Sequence, residues 1–416
     1  MPEPTVVNRW HSVNMSAKNR LCLDECVSHP AFDASLRALI DSARASLEAG
    51  DDSLAFNTRA RRDGHDPEQV RAALQQAQLQ LKGRQKFGVG ADSMLFTRDG
   101  YEQATRGWIA AEHAERMRAA GASSIADLGS GIGADSIAFA RAGLRVDAVE
   151  RDAETAALTA ENLSGFADAR VHAADAEQFD VGAADAVWLD PARRSGSKRR
   201  MTPADWSPSL DFAFGLAKTH LLGVKLGPAV PHEVLPAEAE WQWVGEGTQT
   251  LEAAVYWGGA EREPGLRSAL LRTSDGRFEL RSSAADAAGV ETAPLGRYLH
   301  EPHGTVIRAG LLPVLAAELG AGLVSESIAY LTSETHVAHP FAASFEVQEV
   351  LPLHAKAIAK RMRELQIGTL EIKQRGTGIE PADFRKRLKL QGPNSATLVL
   401  TRIEGDHHAV IARRIV

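Results

Sequence analysis

Residues 123–152 read SSIADLGSGIGADSIAFARAGLRVDAVERD, and they decide the fold. Ile125, Ala126 and Leu128 form a short apolar run around Asp127, which then meets Gly129, Gly131 and Gly133. Such a run is a buried strand delivering the chain into a tight turn. Ile137, Ala138 and Ala140 to Ala142 continue as a helix that Gly143 stops. Leu144 to Val149 is a second buried strand with Glu150 at its carboxyl end. Strand, glycine turn, helix, strand and acid together make a nucleotide-binding half-unit. The glycines let backbone approach a ligand more closely than any Cβ allows, and the helix N-terminus presents unpaired N–H groups. The acid one strand later is placed for a ribose diol.

Outward from this stretch, the chain of 416 residues is too long for one core and predicts two or three domains. Its 44% apolar and 24% charged residues are those of a globular protein. No apolar run approaches the roughly 20 residues of a membrane span. A net charge of -7 argues against polyanion binding by the whole surface and leaves local basic patches to carry it. The cysteines, Cys22 and Cys26, lack the further ligands of a structural zinc site and read as reduced thiols. No metal is expected. The N-terminus lacks an apolar signal core, so the expected location is cytoplasmic.

The expected organisation has four parts. Residues 1–86 are a helical N-terminal region, with Leu36, Leu39, Ile40 and Leu47 at helical spacing and a helix start at Asp66-Pro67-Glu68. Residues 87–282 are the nucleotide-binding domain, with strands over 170–173, 184–189 and 223–230 and β-rich segments beyond Glu240. This alternation predicts an α/β, doubly wound, mostly parallel sheet with an antiparallel edge. Residues 283–295 are a small, polar linker. Residues 296–416 are an α+β domain, with a helix over 306–319 kinked at Pro313 and a terminal hairpin around Gly405-Asp406.

Spacing alone leaves the nucleotide open, because Gly129, Gly131 and Ala134 also satisfy the dinucleotide pattern G-x-G-x-x-A. Three residues tilt the balance. Asp127 gives the form D-x-G-x-G-x-G used for S-adenosyl-L-methionine, its carboxylate near the cationic amino-acid half of the ligand. Asp175 ends the third strand, where an adenine amino group would lie. Asp190-Pro191 closes the fourth, where a methyl acceptor would lie.

At these residues the chain resembles class I S-adenosylmethionine-dependent methyltransferases that carry a THUMP-like C-terminal domain. LFTRDGYEQATRGW (95–108) is similar to the segment upstream of the fold in the trimethylguanosine synthase group. YLHEP, GLLPVLAAELG, IAYLTSE, EIKQRG, RKRLKL and ATLVLTRI resemble the appended domain. The resemblance implies a Rossmann-like sheet with S-adenosyl-L-methionine held by Asp127, Gly129, Gly131, Gly133, Glu150 and Asp175. It also implies that Asp190, Pro191, Ala192 and Arg193 stand where amino-nitrogen methyltransferases have D/N-P-P followed by an aromatic residue. There the acid and the carbonyl after it accept hydrogen bonds from the target nitrogen, and the aromatic stacks a flipped base. Here that stacking falls to Arg193, Phe96 or Trp188.

Basic residues cluster twice: Arg194, Lys198, Arg199 and Arg200 after the acceptor motif, and ten Lys and Arg between Lys356 and Lys389. Two such runs fit phosphate contacts. The expected function is methylation of a nitrogen in structured RNA, tRNA or rRNA. The alternatives are methylation of a small molecule or protein, a nicotinamide-dependent oxidoreductase, and a non-catalytic RNA-binding protein. Asp135 is expected to cap the helix after the glycines.

Overall fold

The computed structural model describes residues 34–193, 206–283 and 289–415. Cys22, Cys26, Arg194, Lys198, Arg199 and Arg200 lie outside them. The chain divides into two compact units. One is Met1–Leu226 with Pro231–Pro236 and Val255–Glu261; the other is Gly227–Val230 with Ala237–Ala254 and Arg262–Val416.

Among the described residues the first unit begins with three helices: Ala34–Glu48, Ser53–Arg62 and Pro67–Phe87. The third starts as its sequence requires. Asp66 accepts from the Glu68 and Gln69 amides, and Pro67 takes a first-turn place that needs no donor. Leu39, Ile40 and Ala43 from the first helix and Val70, Ala73 and Ala77 from the third are buried where the two pack together.

The sheet of this unit contains β1 (Ser124–Leu128), β2 (Arg145–Glu150), β3 (Ala169–Ala173) and β4 (Ala186–Leu189). A two-residue antiparallel pair follows, β5 (Ala192–Arg193) with β6 (Trp206–Ser207), and then β7 (Leu221–Leu226). The order β7-β4-β1-β2-β3 is parallel throughout. Every residue of β1 and β4 is buried, as central strands covered on both faces must be. The chain runs outward from β1 to β3, then returns to place β4 on the other side of β1. That reversal opens a crevice at the carboxyl ends of β1 and β4. The last strand begins and ends earlier than the expected 223–230, because the Gly227-Pro228 step cannot continue the ladder.

In the second unit, β10 (Arg267–Thr273) lies between β8 (Glu240–Glu246), parallel to it, and β11 (Gly276–Ser282), antiparallel. Between these in sequence, β9 (Gln249–Trp257) crosses the boundary of the two units. A seven-stranded sheet follows. Its strands are β12 (Tyr298–Pro302), β13 (Gly322–Leu323), β14 (Leu331–Ser333), β15 (Ala342–Pro352), β16 (Ile367–Gln374), β17 (Asn394–Ile403) and β18 (Asp406–Arg414), in the order β13-β14-β12-β15-β18-β17-β16. Alternation along β17 and β18 sorts their side chains into two cores. Leu398, Leu400 and Ile411 join Ile358, Met362, Phe384 and Leu388 of the helices Ala355–Glu364 and Pro381–Leu388. Val399 and Val410 join Leu299, Tyr330 and Phe345. Pro313 does not kink one helix, as its sequence suggested. Gly310 ends Gly304–Ala309 in a left-handed cap, and Pro313 sits in the first turn of a new helix, Leu312–Leu319.

Candidate active site

The glycine turn caps β1 at the crevice. Gly129, Gly131 and Gly133 have φ of 87°, 53° and 84°, left-handed values that explain the three glycines. A Cβ at Gly131 would meet nothing within 4 Å, and one at Gly129 would meet only the Asp190 carbonyl, at 3.6 Å. The turn therefore presents bare backbone to open space beside the end of β4. The Ser130 hydroxyl, within the turn, is buried and has no hydrogen-bond partner among the described residues. Glu150 accepts from the Gly131 amide at 3.1 Å and from the Asp152 amide at 2.9 Å, which fixes its carboxylate at the end of β2. Asp175 follows β3 and accepts from the Glu177 amide.

Asp127 is 1% exposed and accepts from the Ser136 hydroxyl at 2.5 Å. Burial, reinforced by the charges of Asp135 and Asp190, pushes its carboxyl up to about 8. A cation brought to this carboxylate would find a partner whose desolvation is already paid for by the fold.

Asp135 does not cap its helix. The helix Ala134–Arg141 has Gly133 at its N-cap. The Asp135 carboxylate turns instead to the Thr105 hydroxyl at 2.5 Å and to His113 Nδ1 at 2.9 Å. Burial pushes this carboxyl up, but the His113 hydrogen bond and the charges of His113 and Lys225 outweigh it and hold it low. His113, fully buried in the helix Gly107–Ala119, lies 4.2 Å, ring centre to ring centre, from Trp188.

Asp190 stands one residue beyond β4, and Lys225 stands beside it in β7. The register pairs Leu189 with Val224. Lys225 Nζ donates to Asp190 at 2.5 Å and to Thr105 Oγ1 at 2.9 Å. The side chains are 37% exposed for Asp190 and 12% for Lys225. The sequence signal for Lys225 is a charge inside an otherwise apolar strand, LLGVKL. Pro191 is buried behind this acid, and the backbone of Arg193 pairs with Trp206.

Two expected stacking residues are corrected. Trp188 is 0% exposed, its ring packed against His113 and Phe139 and over Gly223, where a Cβ would come within 2.3 Å of it. Phe96 is also 0% exposed, held between Phe87 and Tyr101. Neither presents a face to a substrate, because large apolar rings at the ends of central elements complete the core.

Phe96 instead anchors the upstream segment. Its backbone exchanges hydrogen bonds with Gln76, and that of Leu95 with Asn162, which also binds the Ile132 carbonyl in the glycine turn. The short helix Arg98–Gln103 then lies on Ile132, so closely that a Cβ at Gly100 would sit 2.3 Å from Ile132 Cγ2. Lys86 Nζ closes its last turn by donating to the Tyr101 and Glu102 carbonyls. Gly100→Val is accordingly expected to destabilise the protein by about 1–3 kcal/mol. It should also weaken cofactor binding through the displaced turn. Chemical denaturation and calorimetric titration check this, and unchanged values for both would show that the segment yields freely.

Strand-end acids, a glycine turn and a second acid across the switch point are together features of nucleoside-cofactor sites in doubly wound α/β folds. A family model described as THUMP domain-like matches residues 342–414, and a domain of unknown function (DUF8688) matches residues 37–82. The chain is 30% identical over 325 residues to an uncharacterized S-adenosylmethionine-dependent methyltransferase of Mycobacterium tuberculosis strain CDC 1551 / Oshkosh, covering 76% of this chain and 86% of the relative. Its counterpart in strain H37Rv matches equally. A candidate methyltransferase from Porphyromonas gingivalis W83 shares the fold with a TM-score of 0.69 at 19% identity, covering 92% of this chain and all of that one. The chain belongs to the S-adenosylmethionine-dependent methyltransferases. This sets aside the oxidoreductase reading and makes S-adenosyl-L-methionine the cofactor. Among the described residues no helix is long and apolar enough to cross a membrane.

Proposed function

We propose that this methyltransferase acts on a nitrogen of a nucleotide in structured RNA, tRNA or rRNA, with Asp190 as the residue that receives the acceptor. The observation that carries this reading is the Asp190 backbone carbonyl lying against the glycine turn, 3.6 Å from where a Gly129 Cβ would be. Acceptor group and cofactor cradle thus share one crevice. When bound, the cofactor supplies an electrophilic methyl group on a sulfonium.

The protein's part is orientation. Asp127 holds the cationic amino-acid end, Glu150 the ribose hydroxyls and Asp175 the adenine amine. The Asp190 carboxylate and the backbone carbonyl after it, that of Pro191, accept hydrogen bonds from the N–H groups of the target amine, aiming its lone pair at the methyl carbon. Proton loss after transfer needs no strong base, because an alkylated amine of this kind releases its proton to solvent.

RNA as the substrate is supported by the THUMP-like match at 342–414 and by the basic helices of that region. Much of their charge is already compensated. Arg361 pairs with Glu349 and Glu364, Lys373 with Glu301 and Glu371, Lys360 with Glu364, and Lys386 with Asp383. Arg375 and Arg385 donate to the Ala329 and Leu370 carbonyls. Lys356, Arg363, Arg387 and Lys389 are exposed and have no acidic partner among the described residues, so phosphate contacts fall first to these four. Arg194, Lys198, Arg199 and Arg200 complete the proposed phosphate-binding set, and Arg193 is left as the candidate for stacking the base.

Mass spectrometry of modified nucleosides from cells with and without the protein tests the proposal. The expected result is loss of one methylated nucleoside from tRNA or rRNA. An unchanged nucleoside profile would move the acceptor to a small molecule or a protein.

A further inference from the structure

Behind Asp190 runs a continuous polar chain that the acceptor motif does not predict. Lys225 Nζ donates to Asp190 and to Thr105 Oγ1; the Thr105 hydroxyl, its lone pair occupied by the ammonium, donates to Asp135; and Asp135 accepts from His113. Thr105 is 3% exposed and His113 0%. Four segments contribute: β7, the loop between the helices Arg98–Gln103 and Gly107–Ala119, the second of those helices, and the first turn after the glycines. A buried polar chain of this length costs stability unless each member is satisfied, and here each one has a partner. Among the described residues it reaches the partly exposed carboxylate of Asp190, in the crevice beside the cofactor cradle. A scaffold of buried groups behind a partly exposed acid is how a site fixes a functional side chain.

We propose that Lys225 is the positioning residue of the acceptor pocket, holding Asp190 ionised and in one orientation while Thr105, Asp135 and His113 hold Lys225. The proposal rests on the reading of Asp190 as the acceptor-orienting residue. It also narrows the acceptor class. A carboxylate kept ionised by an ammonium can only accept hydrogen bonds, so the target must bring an N–H, as an exocyclic or primary amine does. A tertiary or unprotonated ring nitrogen has nothing to donate. Ion-paired with an ammonium, Asp190 serves as an orienting group and leaves the proton to solvent.

Other charges bear on Asp190 and enter any titration. Asp127 at the end of β1 interacts with both Asp190 and Lys225, Asp135 after the glycines interacts with Lys225, and Lys86 repels Lys225. Burial, with Lys225 and Arg106 adding to it, pulls the Lys86 ammonium down to about 8. Removing Lys225 takes a positive charge from beside Asp190, so the Asp190 carboxyl is expected to titrate higher.

The test compares wild type with Lys225→Met, Lys225→Arg and Thr105→Val in the full-length protein. Methyl transfer from labelled S-adenosylmethionine is followed into the RNA, protein and small-molecule fractions of a lysate from cells lacking the protein. Cofactor affinity is measured by calorimetry, and the Asp190 carboxyl is followed by carbon-13 NMR titration, assigned with Asp190→Asn. Lys225→Met is expected to keep its cofactor affinity within about threefold while transfer at pH 7 falls about 10- to 100-fold. The Asp190 titration should rise by at least about one pH unit. Lys225→Arg should recover part of the rate, and Thr105→Val should fall between it and Lys225→Met. An Asp190 titration unmoved in Lys225→Met overturns the proposal, as does a transfer loss matched by an equal loss of cofactor affinity. Label entering protein or small molecules instead of RNA would refute the RNA substrate and leave the role of Lys225 decided by the same variants. Should Lys225→Met fail to fold, Lys225→Arg and Thr105→Val carry the same two readouts.

Discussion

Asp190→Ala is expected to lower methyl transfer by about 10²- to 10³-fold while cofactor affinity stays within about threefold. The size follows from what the residue is asked to do. An in-line displacement needs the acceptor lone pair aligned with the methyl carbon, and orientation of this kind accounts for several kcal/mol of a barrier. The Asp190 carboxylate sits across the switch point from the glycine turn, so its loss should leave the cofactor's own contacts intact. It also strips Lys225 of an anionic partner at a side chain only 12% exposed, which will cost some stability. Asp190→Asn separates the two effects. The amide keeps an accepting oxygen but no charge, so its transfer rate should fall between those of wild type and alanine. Single-turnover rates at saturating cofactor, set beside calorimetric affinities, measure this directly. Equal losses of rate and affinity in Asp190→Ala would place the residue in the cofactor pocket instead.

Asp127→Asn should weaken S-adenosylmethionine binding by about 10- to 100-fold, the loss of one charge-assisted contact, yet leave the free protein no less stable. The sign comes from burial. The Asp127 carboxyl is pushed up to about 8 in the fold from an ordinary value of 3.8, so the folded state holds this proton more tightly than the unfolded chain. Its contribution to stability is fully present below about pH 4 and is lost as pH rises towards 8. Asparagine mimics the protonated acid and removes that pH dependence. Cofactor binding has the opposite slope, because the cationic end of the ligand requires the carboxylate. Below pH 8 binding must release a proton, and affinity should rise by up to about tenfold per pH unit before levelling off. Titration calorimetry from pH 6 to 9, in buffers of different protonation enthalpy, reads both the affinity and the proton released. An affinity flat across that range would mean that Asp127 is not the group that meets the cation.

The two residues differ in how they could be found. Asp127 announces itself in sequence, because an acid inside an apolar strand just before three glycines has few other uses. Lys225 offered the same kind of signal in LLGVKL but no neighbour to give it meaning, since Asp190 is 35 residues away along the chain. Thr105, Asp135 and His113 gave less. A threonine in a loop, an acid in the first turn of a helix and a histidine mid-helix each have an ordinary local explanation, and for Asp135 that explanation was wrong.

Periodicity, glycine spacing and strand-end acids are local properties, so the chain alone determined the helical region, the parallel α/β sheet, the glycine turn with Asp127, and the place of Asp190 at a strand end. Which side chains face the crevice is not local. Trp188 and Phe96 are large and apolar beside a functional motif, and sequence cannot tell a stacking platform from a core plug; packing sent both to the interior. The ion pair between Asp190 and Lys225 exists because β4 and β7, separated by 31 residues of chain, lie side by side in parallel register. Strand pairing across such distances is settled by the whole sheet burying its faces at once, and only the tertiary structure could decide it.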